Sequence, residues 1–93
     1  MALVRRLVLD VLKPHSPSIV ELSQVLADIE GIDGIDITVF EIDRKVENVR
    51  ITLEGSDINI DEIERIIQEN GGTIHSIDKV STGRKMIEEA KTD

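Results

Sequence analysis

Three observations predict that this chain folds as a two-layer α+β sandwich. Its apolar residues run twice through strand, helix and strand: Leu7–Leu12, Ser18–Ile29 and Ile35–Ile42, then Val49–Leu53, Ile60–Ile67 and Ile74–Val80. The spacing of those residues switches from a period of two to a period of about 3.6 and back in each pass. The two passes also use nearly all of the 93 residues, a length that suits one small domain. Two split βαβ units in one short chain describe a ferredoxin-like arrangement, βαββαβ, with four antiparallel strands in the order 4-1-3-2 and both helices on one face. The domain is expected over residues 1–80, and residues 81–93 form a C-terminal tail.

In the first strand Leu7, Leu9 and Val11 share one parity and should face the helices, whereas Arg6, Val8 and Asp10 share the other. Lys13-Pro14-His15 is expected to break it. Ser16 before Pro17 reads as a helix N-cap with proline at the first helical position, and Ser18 with Glu21 offers an alternative capping box. Ile19, Leu22, Val25, Leu26 and Ile29 make the apolar stripe of the first helix, closed by Gly31. The second strand alternates Ile37 and Val39 against Thr38 and Phe40, so both of its faces carry apolar groups.

A turn over Asp43–Asn48 leads to the third strand, where Val49, Ile51 and Leu53 face the core. Asn59, with Glu62 three residues on, caps the second helix; Ile60, Ile63, Ile66 and Ile67 are its buried stripe, and Asn70-Gly71-Gly72 stops it. Thr73–Val80 is the fourth strand, with His75, Ile77 and Lys79 assigned to the open face. In the tail, Met86, Ile87 and Ala90 would form one side of a short helix.

Composition excludes several functions. With no cysteine there are no disulfides, thiolate metal sites or cysteine nucleophiles. Nineteen acidic against eleven basic residues give a net charge of −8, which repels phosphate backbones, and a single aromatic residue, Phe40, offers no stacking platform for bases. Nucleic-acid binding is therefore not expected. The N-terminal residues lack the apolar stretch of a signal peptide, and no apolar run is long enough for a membrane span, so a cytoplasmic protein without membrane partners is expected.

The predicted topology gathers Asp10, His15, Glu41, Asp43 and His75 at one end of the sheet. Oxygen-rich groups with one or two imidazoles suit a hard divalent cation, calcium or magnesium. Glu41 and Asp43 are the sharpest pair, because alternation puts both carboxylates on one side of the strand about 7 Å apart. Asp10, Glu41 and Asp43 are thus the candidate metal ligands, and His15 and His75 candidate ligand contacts. Asp10 lies inside an apolar strand and needs a cation, for which Arg50, His75 and Lys79 are within reach. No nucleophile elbow, phosphate-binding glycine loop or zinc-protease motif is present.

Three segments together suggest a relationship: Leu7-Val8-Leu9-Asp10-Val11-Leu12-Lys13-Pro14-His15, then Gly34-Ile35-Asp36-Ile37-Thr38-Val39 with Glu41 and Asp43, and Gly71-Gly72-Thr73-Ile74-His75-Ser76-Ile77-Asp78 with Val80. The chain, over about residues 3–85, resembles a family of short, mainly archaeal proteins catalogued only as a domain of unknown function. That resemblance implies a ferredoxin-like domain that assembles into homo-oligomers, and it brings no activity with it.

The sequence thus leads to a non-enzymatic, oligomeric module that binds a small ligand or divalent cation. A small acid/base enzyme using the same carboxylates and a purely structural assembly domain are the alternatives. Val8, Phe40, Ile42 and Ile77 on the open face, with Met86 and Ile87 of the tail, are expected to form the contact of a homo-oligomer larger than a dimer.

Overall fold

The computed structural model describes residues 2–88. Six elements follow in the expected order: β1 (Val4–Pro14), α1 (Ile19–Ala27), β2 (Ile32–Ile42), β3 (Val46–Gly55), α2 (Ile60–Glu69) and β4 (Thr73–Thr82). The four strands form one antiparallel sheet in the order β2-β3-β1-β4, which is 4-1-3-2 read from the opposite edge. The fold is the ferredoxin-like α+β sandwich that the apolar pattern predicts. Among the described residues no helix is long and apolar enough to cross a membrane.

Alternation does most of the work of building the core. Leu7, Leu9 and Val11 of β1 pair directly with Leu53, Ile51 and Val49 of β3, and all six are fully buried. Leu22 and Leu26 of α1, with Ile63 and Ile67 of α2, close over them. Ile58 completes the core; it immediately precedes the N-cap Asn59, with Ile63 four positions beyond that cap, the positions of a hydrophobic staple. Helix α1 starts at the second of the two predicted caps. The Ser18 hydroxyl accepts from the Glu21 N–H and the Glu21 carboxylate accepts from the Ser18 N–H, so Ser18 rather than Ser16 is the cap, and the Ser16–Pro17 bond that precedes it is cis.

Glycine sets one junction. Gly31 has φ +91°, and its carbonyl accepts from the Ser56 and Asp57 N–H groups; a Cβ on Gly55 would lie 1.9 Å from that same carbonyl oxygen. The entry to β2 and the exit from β3 can approach this closely only without side chains.

The strands are longer than expected. β1 continues through Lys13 to Pro14, β4 continues to Thr82, and the β2–β3 turn shrinks to Arg44-Lys45 between Asp43 and Val46, where the Asp43 N–H donates to the Val46 carbonyl at 2.9 Å. After β4 the chain turns over Gly83–Lys85 and runs irregularly through Met86–Glu88; Ala90 of the expected tail helix lies outside the described residues.

Bulges correct two face assignments. Phe40 has no partner in β3, so the parity of β2 reverses after it: Glu41 pairs with Asn48 and Ile42 with Glu47. Ile42 therefore belongs to the helix-side row of Lys13 and Glu47, not to the open face. In β4, Asp78 and His75 are the extra residues, which puts Lys79 opposite Val8 but Ile77 opposite the core residue Leu9. Ile77 and Lys79 thus do not share the open face as expected. Ile77 nonetheless stays 53% exposed, because it lies on an edge strand.

Candidate functional site

The end of the sheet where β1 and β2 finish and β3 and β4 begin does collect ionisable groups, but not the predicted set. Asp10 sits in a row with Arg50 and Ser76, four rows from the end of the β1–β3 ladder, and Glu41 pairs with Asn48, two strands from β1. Asp43 lies in the hairpin turn, where its carboxylate accepts from the Arg44 N–H. Among the described residues no three His, Asp or Glu side chains gather closely enough to hold a metal ion. Asp10, Glu41 and Asp43 are therefore not brought together. The reason is nonlocal: the turn engages Asp43, the bulge at Phe40 re-aims Glu41, and β3 stands between both of them and Asp10.

The histidines are also separated. His75 is an exposed bulge residue on the β4 edge, while His15 turns toward β3. Arg50, the cation directly across from Asp10, lies with its guanidinium carbon 4.5 Å from the centre of the Phe40 ring. This arrangement covers part of the one aromatic side chain with a cation–π contact.

What the sheet end does build is a cluster of Lys13, His15 and Glu47. Lys13 continues the helix-facing series of Leu7, Leu9 and Val11, and only 1% of it is exposed; among the described residues it is the one buried charged side chain. Its Nζ donates to Glu47 Oε1 at 3.1 Å and to the Pro14 carbonyl at 2.6 Å. Glu47, directly opposite in the β1–β3 register, uses its other oxygen, Oε2, at 3.0 Å from His15 Nδ1. His15 Nε2 lies 3.0 Å from the Arg44 carbonyl.

An imidazole between a carboxylate and a carbonyl satisfies both contacts only when both ring nitrogens carry protons. The Glu47 hydrogen bond, followed by the Arg44 carbonyl, accordingly raises the His15 pKa, and the His15 hydrogen bond followed by that of Lys13 lowers the Glu47 carboxyl. With all three ionised, one carboxylate holds two cations. Sequence reading missed this cluster, although parity carried the signal: Lys13 and Glu47 each lie one pleat beyond the recognised core ladder.

A second anchor ties the described part of the tail to the opposite end of the sheet. Arg5 Nε donates to the Gly55 carbonyl at 3.0 Å and its terminal nitrogen to the Arg84 carbonyl at 3.3 Å, while the Gly83 N–H donates to the Leu3 carbonyl at 2.9 Å. Arg6, on the open face, pairs with Glu54 at 3.2 Å and with Glu88 at 3.1 Å. Of the predicted contact residues in the tail, Met86 is half-buried and Ile87 exposed. Val8 is half-buried and Phe40 exposed on the open face. An open groove of about 830 Å³ runs between the C-terminal end of α1 and the N-terminal end of α2, lined in part by Asp28, Glu30, Asp57 and Glu62.

The chain is 53% identical over 89 residues to an uncharacterised protein of Methanocaldococcus jannaschii, MJ0319, covering 96% of this chain and 92% of the relative. Residues 5–93 match DUF211, described as an uncharacterised ArCR family, COG1888. On both counts the chain belongs to the DUF211 family.

Proposed function

We propose that this protein is a non-enzymatic module whose working form is a closed assembly of identical chains larger than a dimer. One observation carries the reading: the fully buried apolar core is small, and large apolar side chains stay in water around it. Ile42 is 71% exposed, Ile87 70%, Val20 62%, Val80 54% and both Phe40 and Ile77 53%. Covering such groups with a neighbour gains about 25 cal/mol per Å² of apolar surface before the entropic cost of association.

The two carboxyls whose titration is displaced do not suit a general acid. A general acid needs a carboxyl held protonated by burial. Glu47 and Glu88 are displaced the other way, each lowered first by a hydrogen bond from a cation, His15 and Arg6 respectively. Multi-angle light scattering at micromolar concentration tests the assembly. The expected mass is more than twice the 10.4 kDa of one chain, and a species of one or two chain masses overturns the reading.

A further inference from the structure

We propose that the free edge of β2 is where a second copy of this chain adds, antiparallel, about a two-fold axis passing at Ile37. This rests on the reading that the protein self-associates, and it names the surface and the register.

The sheet has two edges, and they differ. The β4 edge is broken by bulges at His75 and Asp78 and carries Lys79, which are devices that discourage a further strand. The β2 edge has register shifts of its own at Asp33 and Phe40, but none between them. From Gly34 to Val39 its register with β3 is unbroken, and the whole strand, Ile32–Ile42, contains no lysine, arginine or proline. A strand of this length with unpaired N–H and C=O groups along one side is a template for β-addition.

The strand's own sequence selects the partner. Antiparallel pairing centred on Ile37 sets Ile37 against its copy and Ile35 against Val39; all three pack against the core, so the two cores become continuous across the junction. On the open face the same register sets Asp36 against Thr38 and brings Gly34 level with Phe40, the bulge residue just past the unbroken stretch. A carbon added at Gly34 would meet nothing within 4 Å, so there is open space above this glycine, opposite a ring that is 53% exposed. Aromatic side chains packed over an edge glycine are a recognised means of pinning register. Asp36 of one copy also comes two strands from Arg50 of the other, through Thr38, which pairs with Arg50.

Other registers are worse. Centring on Asp36 sets that carboxylate against its own copy, and centring on Thr38 sets Asp36 against the bulge residue Phe40. Centring between two residues turns the helices of the two copies to opposite sides of the joined sheet, which separates the cores.

Two variants test the edge. Asp36→Lys/Thr38→Lys changes two exposed side chains and places four ammonium groups around the two-fold axis. Its scattering mass should fall by at least half, with an unchanged circular dichroism spectrum as the control for folding. Asp36→Cys and Thr38→Cys chains, co-expressed in a protein that has no cysteine of its own, should form a covalent dimer, since directly opposed Cα atoms about 4.5–5.5 Å apart fall within disulfide range. If the parent protein scatters as a single chain, both self-association and this edge are overturned. If the parent assembles but the lysine variant keeps the parent mass, or the cysteine pair gives no covalent dimer, the edge is overturned and self-association stands.

Discussion

Replacing Glu47 by alanine should destabilise the protein far more than replacing its partner Lys13 by methionine. Glu47→Ala leaves the Lys13 ammonium, 1% exposed, with only the Pro14 carbonyl as a partner. Removing one member of a buried ion pair costs about 3–5 kcal/mol. Glu47 keeps 15% of its side chain exposed and the carbonyl contact survives, so the lower end, about 3 kcal/mol, applies. For a chain of 93 residues that corresponds to a fall of roughly 12–24 °C in Tm.

Lys13→Met removes the buried charge itself, keeps most of the side-chain volume, and leaves Glu47 its contact with His15. Its cost should stay within about 1 kcal/mol. The double variant should then recover about 2 kcal/mol relative to Glu47→Ala, because no orphaned ammonium remains. Urea unfolding at pH 6 and one fixed protein concentration measures all four proteins, since assembly makes apparent stability concentration-dependent. Equal losses from the two single variants, or no recovery in the double, would refute the reasoning.

Three further outcomes are expected. The Glu47 carboxyl, lowered below its ordinary 4.5, stabilises the fold above that value and loses the contribution as pH falls through its depressed pKa; His15, raised above 6.5, contributes fully below 6.5 and loses it as pH rises through its raised pKa. A plot of Tm against pH should therefore be highest between about 4.5 and 6.5, and His15→Gln should flatten the alkaline fall and lessen the acid one, because the His15 hydrogen bond is the largest cause of the Glu47 lowering. Gly55→Ala should fail to accumulate as folded protein, because its Cβ would stand 1.9 Å from the Gly31 carbonyl oxygen, whereas Gly34→Ala should give a parent-like circular dichroism spectrum. Millimolar calcium should shift the melting temperatures of the parent and of Glu41→Gln/Asp43→Asn equally, and a shift confined to the parent would show that these carboxylates do bind the ion.

Periodicity determined the fold because it is a local property. Leu7, Leu9 and Val11 alternate, Leu22 and Leu26 recur at helical spacing, and Gly71 follows directly on the cap Asn70 of α2, so element order, layers and most of the core were legible in the sequence. Helix α1, by contrast, ends at Ala27 with Asp28 as its cap, short of the expected close at Gly31. The exit from β1 was not. Lys13 reads as a strand breaker by residue type, and only the pairing of β1 with β3 reveals that it faces Glu47 and can therefore be buried.

The candidate site was legible in its location and wrong in its members. Strand order correctly places the ends of β1 and β2 together, but which side chains meet there depends on single-residue insertions. A bulge at Phe40 or at His75 and Asp78 reverses every side chain beyond it. Whether a pair of strands accommodates such an insertion is settled by the partner strand and by the helices above it. Alternation within one strand contains no record of either, so Glu41, Ile42 and Ile77 took their faces, and His15 found Glu47, only when the whole sheet was assembled.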